Sequence, residues 1–564
     1  MSRSTGLRMS ELRRILSGFL KSRGGNVGII FGLAITPLVL AAGAALDYSR
    51  ASDLHSSLQT GTDATTLLLC KASSTLTSDQ LRTMAKDSVQ SYVGGGTITI
   101  KDLQVTNSPR SVVLTTTSSS ATAFMKIMNQ NTVVVDATAS CSASEQYFEI
   151  ALVLDTTGSM SSSGGTQTKM EAAKTAAKDF VDYMFTTGAL PGHVRMSLVP
   201  FAASVAIPTA SRTAPWLDTT GLSPVHWQYV TNPGAASFTS RVSIFDKLKN
   251  TRSSWAWEGC VESPPYPYNV KDDAVSKGTP KSLILPMFAP DEVSSRASYR
   301  SRGDTYYYQD VTNSNSYIDD GSDFGTGSCR SDDSSQSKRF TQACKYNARD
   351  NARTSMPGPN WGCTSRPLSL LGTSQSTLKT EITALQPEGS TNVHEGFMWG
   401  WRTISPTNVF SSQSSPPVAY DTTSYNKVVV LMTDGANQWL ANDDVIGKSN
   451  YSAYGYFRNA DGTDAATTNS RFRTGRTNLT TNADGRAVID ELLLEACTNA
   501  KAKKVIVYTV GFSTKDDPID AQGLNLLSSC ATASDYAFVA SDSKSLISAF
   551  QKIAQGIGQL RLTR

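Results

Sequence analysis

The run Phe148-Glu149-Ile150-Ala151-Leu152-Val153-Leu154-Asp155 constrains this chain more than any other stretch. From Glu149 to Leu154 it is almost wholly apolar and β-prone, the pattern of a strand buried on both faces of a parallel sheet. It then breaks into Asp155-Thr156-Thr157-Gly158-Ser159, a carboxylate and two hydroxyls at alternate positions, and a helix is expected to begin near Lys169. Ligands of open α/β sheets sit just outside the carboxyl ends of strands. Alternating oxygen side chains there suit a hard cation such as Mg²⁺. Alone, D-x-T-x-S is equally the signature of a polar strand-to-helix turn with N-caps.

Two distant stretches weigh on that choice. Residues 427–435, KVVVLMTDG, read as a second buried strand ending in Asp434, and residues 389–396, GSTNVHEG, set Thr391 in a Gly/Ser turn before a helix. The constellation Asp155, Thr157, Ser159, Thr391 and Asp434, in that chain order, resembles the von Willebrand factor A domain and its metal-ion-dependent adhesion site. The resemblance covers about residues 147–205 and 370–560, with D-x-T-x-S where D-x-S-x-S is commoner; Thr157 offers the same oxygen. It implies an α/β fold, a doubly wound, mostly parallel, Rossmann-like sheet with large insertions. It also implies Mg²⁺, with Mn²⁺ or Ca²⁺ as alternatives. Three neutral hydroxyls would leave most of the cation's charge uncompensated, while Asp155 and Asp434 accept hydrogen bonds from its hydration shell. A protein ligand could then offer a carboxylate to the open position, which is recognition rather than catalysis.

Ahead of this domain, residues 1–24 carry six Lys/Arg and one Glu, leaving the other 540 residues near −1 out of a total of +4. No nucleic-acid footprint lies outside that first segment. Within it, residues 9–21 place Leu12, Ile15, Leu16, Phe19 and Leu20 on one helical face, either a basic amphipathic helix on a membrane surface or an unstructured basic region. Val27 to Leu46 is 20 residues without a charge, about 30 Å as a helix and enough to span a bilayer. Basic residues upstream and Asp47 downstream put the N-terminus in the cytoplasm and the bulk of the chain outside, in the periplasm or at the cell surface. Ala41-Ala42-Gly43-Ala44 offers a signal-peptidase alternative, but the apolar region is overlong for one. The stretch from Gly24 through Arg50 resembles the N-terminus of TadG-type proteins, bacterial membrane-anchored components associated with tight-adherence (Flp) pili. True pilins carry Glu five residues after a processing glycine; here Gly25 is followed at that offset by Ile30.

The expected domains are a basic segment at 1–24, an anchor at 25–46, a membrane-proximal α+β domain at 47–145 and the A domain at 147–560. The A domain is interrupted at about 206–365 and 437–484. Thr77-x-x-Gln80 reads as a capping box, and strands are expected near 97–105, 111–117 and 132–137. Eight widely spaced cysteines without a C-x-x-C suggest extracytoplasmic disulfides. Chain proximity pairs Cys70 with Cys141 and Cys497 with Cys530, and leaves Cys260, Cys329, Cys344 and Cys363 open. The first insertion is rich in Trp and Tyr (Trp216, Trp227, Trp255, Trp257, Tyr306–Tyr308), which fits a contact surface or a compact core equally. Its acidic run at Asp319, Asp320, Asp323, Asp332 and Asp333 lacks EF-hand spacing, and Arg302-Gly303-Asp304 is short enough to recur by chance.

No H-E-x-x-H, Walker loop or G-x-S-x-G elbow accompanies the four histidines. His394, three residues past Thr391, is close enough to be weighed as a base or ligand against a capping or helix-surface role. The reading is a non-enzymatic, membrane-anchored, metal-dependent binding protein associated with pilus assembly. The alternatives are a structural scaffold of a pilus or secretion apparatus and, less favoured, a surface hydrolase.

Overall fold

The computed structural model describes residues 26–72, 76–94, 96–107, 110–142, 146–189, 192–292, 315–318, 336–347, 356–465, 471–473 and 478–559. The basic segment, the acidic run and the Arg-Gly-Asp tripeptide lie outside them. The chain divides into two compact units, Met1–Glu145 and Gln146–Arg564.

In the first unit one helix, α1 (Asn26–Lys71), runs 46 residues with Pro37 inside it. Its first half is long and apolar enough to cross a membrane and leaves Ile30, Phe31, Leu33, Leu38 and Val39 exposed. This suits a single membrane anchor, whose lipid covers such side chains. The second half packs Leu58, Leu69 and Cys70 against Leu81, Ala85 and Val89 of α2 (Ser78–Tyr92). Below them lies an antiparallel sheet of β1 (Ile98–Asn107), β2 (Arg110–Ala121) and β3 (Thr132–Ser142), each longer than the sequence pattern indicates. The Thr77/Gln80 capping box is present at the start of α2, and Cys70 is bonded to Cys141.

The second unit is organised on β4 (Tyr147–Asp155), buried from Phe148 onward. It is flanked by β5 (Val194–Phe201) and β7 (Tyr425–Thr433), both parallel to it. Beyond β7 come β8 (Ile506–Phe512) and β9 (Ala537–Ala540), also parallel. A short antiparallel strand, β6 (Ser369–Gly372), closes the other edge and was not expected from the sequence. The sheet order is β9-β8-β7-β4-β5-β6. Because strand side chains alternate, Ile150, Leu152 and Leu154 face one core while Ala151 and Val153 face another. The first core is covered by α3 (Lys169–Tyr183), α4 (Gln375–Thr383) and α8 (Ser543–Gln559), through Phe180, Ile382 and Phe550. The second is covered by α5 (Val393–Ile404), α6 (Asn482–Ala502) and α7 (Ala521–Cys530), through Phe397, Leu493 and Leu527. Helix α5 lies so close to the sheet that a Cβ on Gly400 would stand 2.3 Å from Val153 Cγ2.

The first insertion splits its apolar side chains between the sheet's core and a smaller cluster of Tyr229, Cys260, Met287, Ala289 and Phe340 with Tyr451 and Tyr456 of the second insertion. Trp216, Trp255 and Trp257 are buried in the same cluster as Val153 and Trp399 of the sheet and α5, so these tryptophans are core rather than contact surface. The second insertion is tied to the first through fully buried Glu262, which pairs with Arg241 at 2.5 Å and with Arg471 at 2.5 Å and accepts the Tyr451 hydroxyl. Cys260 is bonded to Cys363 and Cys497 to Cys530, and Cys344 is also disulfide-bonded.

Candidate functional site

The five sequence-derived residues fall at the carboxyl ends of two adjacent parallel strands, β4 and β7, and in the turn before α5. Asp155 is the last residue of β4, Thr157 and Ser159 sit in the turn that follows, and Asp434 is the first residue after β7. Thr391 precedes Asn392, whose side chain caps α5 by accepting from Glu395 N. Asp155, Thr157, Thr391 and Asp434 are each no more than 3% exposed.

Hydrogen bonds join the two strand ends. Thr157 N donates to Asp155 Oδ1 at 2.8 Å, and Thr433 Oγ1 donates to Asp155 Oδ2 at 2.6 Å. The Thr157 and Ser159 hydroxyls are 3.0 Å apart, and Ser159 Oγ donates to Asp434 Oδ1 at 2.7 Å. The Thr391 turn is fastened to the first loop by Gly158 N to Gly389 O at 2.9 Å and Glu388 N to Thr156 O at 2.8 Å. A Cβ on Gly435 would lie 3.4 Å from Thr391 Oγ1 and 3.8 Å from Ser159 Oγ. A side chain there would occupy the space between the two hydroxyls, and glycine leaves it clear.

The electrostatics is that of two carboxylates in one dry place. Burial, reinforced by the Asp434 charge, pushes the Asp155 carboxyl up to about 7. Burial also raises Asp434, opposed by Lys169. Lys169, the first residue of α3, is itself fully buried, with Nζ 3.1 Å from Asp434 Oδ2 and 2.7 Å from Asp517 Oδ2. The approach to Asp434 is not aligned as a hydrogen bond, and Asp434 Oδ2 is a buried oxygen without a hydrogen-bond donor. Lys169 and Thr433 both escape sequence reasoning. A lysine at a helix start looks like any solvated lysine, and Thr433 looks like part of a strand.

This donor set fits a hard divalent cation. It presents carboxylate and hydroxyl oxygens only, and its one buried ammonium, Lys169, faces Asp434 and Asp517, while among the described residues no cationic side chain is set against Asp155. Among the described residues no group of three or more His, Cys, Asp or Glu is arranged to hold a metal, so any cation here would lean on the hydroxyls.

His394 does not reach this site. It is fully buried, with Nδ1 2.7 Å from Tyr454 Oη and Nε2 2.8 Å from Asn269 O, and burial lowers its pKa to about 3. It is neither ligand nor base, and the capping or surface role expected for it is replaced by a core one. The Asp461–Asp464 stretch is a turn, with Thr463 N donating to Asp461 Oδ1 at 2.9 Å. Beside the Thr391 turn lies an open cleft of about 520 Å³, lined by Gly389 and Ser390, by Arg252, Glu258 and Trp361 of the first insertion, and by Tyr451 of the second. Both insertions therefore border the cleft next to the Thr391 turn.

Residues 25–68 match the Tad family model, described as Flp pilus-assembly TadE/G-like. No curated protein matches the chain. Among solved structures, the von Willebrand factor domain of the type V pili tip protein Mfa5 from Porphyromonas gingivalis is similar at 11% identity. That match covers 74% of this chain and 97% of that one, with a TM-score of 0.32. The pilus adhesin SpaC from Lactobacillus rhamnosus GG is similar at 12% identity over 82% of this chain and 35% of that one, with a TM-score of 0.31. The PilB minor pilin from Streptococcus sanguinis is similar at 11% identity over 82% and 79%, with a TM-score of 0.28.

Proposed function

We propose that this chain is a membrane-anchored, non-enzymatic binding component of a tight-adherence pilus system. In this reading its second unit is a von Willebrand factor A-type domain that recognises a protein carboxylate through Mg²⁺. The Tad segment on α1 supports the pilus association and the anchor. The observation that carries the metal-dependent part is the buried pair Asp155 and Asp434, held with the Thr157, Ser159 and Thr391 hydroxyls at the ends of neighbouring parallel strands. Those five side chains would hold the cation. Thr433 and the Thr157 amide fix the rotamer of Asp155, and Ser159 fixes that of Asp434. When bound, the cation would supply a Lewis-acidic position for an incoming carboxylate. The adjoining cleft gives the rest of the partner a place to lie. By the charge distribution around α1, the second unit is extracytoplasmic.

The test is Mg²⁺ titration of the full chain in detergent by calorimetry, with Asp434→Ala as control. Saturable binding that disappears in the variant is expected. Absence of binding in the wild-type chain would sink the metal-dependent reading and leave a structural scaffold, whose partner binding would be unchanged in EDTA.

A further inference from the structure

The first unit carries a surface that the anchor alone does not explain. Asp47, the first charged residue after the apolar half of α1, is buried, and its carboxylate accepts three backbone N–H groups from the tip of the β2–β3 hairpin. These come from Ala123 at 3.0 Å, Phe124 at 2.8 Å and Met125 at 2.8 Å. The Phe124 ring lies against Gly43, so tightly that a Cβ there would stand 2.3 Å from it. Gly43 is four residues before Asp47, about 6 Å back along the helix and inside the uncharged segment. The hairpin tip is thus clamped beside the last turn of that segment.

The tip presents a large apolar pair, with Asn129 and Gln130 exposed beyond it. Ile127 is 73% exposed and Met128 70% exposed, with Lys126 exposed next to them. Several of its amides are bonded within the turn: Ile127 N donates to Phe124 O at 3.1 Å, Asn129 N to Lys126 O at 3.0 Å and Gln130 N to Met125 O at 3.1 Å. Amides bonded in this way lower the cost of approaching a low-dielectric region, where little water is available to bond free ones. A large apolar pair flanked by a lysine that can extend to headgroups is the composition of an interfacial anchor.

Resting on the reading of α1 as a membrane span, we propose that the Phe124–Met128 tip is a second membrane contact. It is seated in the headgroup–acyl boundary of the leaflet from which α1 emerges, and it sets the height and tilt of the first unit on the bilayer. Lipid is the occupant because the clamp on Asp47 and Gly43 holds the tip at the level of the span's final turn, where a bilayer crossed by α1 must lie.

The experiment uses the full chain in lipid nanodiscs with a nitroxide at Ile127→Cys; no described cysteine is free. Collision rates with oxygen and with a water-soluble nickel chelate are compared with labels at Leu38→Cys, inside the span, and Lys86→Cys, exposed on α2. A label about 5–10 Å below the headgroups should meet nickel roughly tenfold less often than the Lys86 label. Met128→Cys should repeat the result. If Ile127 meets nickel as often as Lys86 while Leu38 is protected, the second contact is refuted and the span stands. If Leu38 is as accessible as Lys86, α1 does not span, and the proposal falls with that reading.

Discussion

Asp155→Asn separates a structural carboxylate from one kept for a cation. In the metal-free chain Asp155 titrates near 7 because burial and the neighbouring Asp434 disfavour its charge, against an ordinary value of 3.8. That difference of about three units corresponds to roughly 4 kcal/mol. The folded-state value is raised, so the cost is absent below about pH 4. It grows between pH 4 and 7 as the folded protein holds a proton that the unfolded chain has lost, and it is complete above 7. Asparagine keeps the acceptor for Thr157 N but offers an amide where Thr433 donates, a loss of about 1 kcal/mol. The net expectation is a variant more stable than wild type by roughly 2–3 kcal/mol at pH 8 in EDTA, with the advantage gone by about pH 4.5. Urea unfolding of the purified chain at both pH values, with and without Mg²⁺, measures it. Mg²⁺ should stabilise wild type at pH 8 and leave the variant unmoved. If Asp155→Asn is the less stable protein at pH 8 in EDTA, the carboxylate is a structural hydrogen-bonding group whose charge is not penalised by burial and Asp434.

Two further perturbations follow from the same geometry. Lys169→Met removes the buried ammonium facing Asp434 and Asp517; it should cost roughly 3 kcal/mol of metal-free stability while tightening Mg²⁺ binding, read by urea unfolding in EDTA and by calorimetry, and weaker binding would show that Lys169 organises the site rather than competing with the cation. Paired Cys497→Ser and Cys530→Ser substitutions open a fully buried bridge across 33 residues, with an expected loss of about 3–4 kcal/mol in the same unfolding assay and no change in Mg²⁺ affinity.

The placement of the candidate residues on strand ends and turns was more legible than the packing around them. Asp155 and Asp434 could be placed because each ends an apolar run of the kind a buried parallel strand produces, and Thr391 because a Gly/Ser turn precedes a helix. Local patterning of that kind survives folding, since it reports which faces of one element lose water. What it could not convey was partnership across the chain. Lys169 is 265 positions from Asp434, and nothing in Lys169-Met170-Glu171 separates an ammonium buried against two carboxylates from one in solvent. The same limit applies to the insertion. Trp216, Trp255 and Trp257 look alike whether they face a partner or a core, and only their packing against Val153 and Trp399 assigns them to the core. His394 shows the converse error: three residues after Thr391 in sequence, it lies in α5 and its ring is held by Tyr454 and Asn269, away from the carboxylates. Thr391 precedes the Asn392 cap and so lies outside α5, where the rule that sets residues three apart on one helical face does not hold.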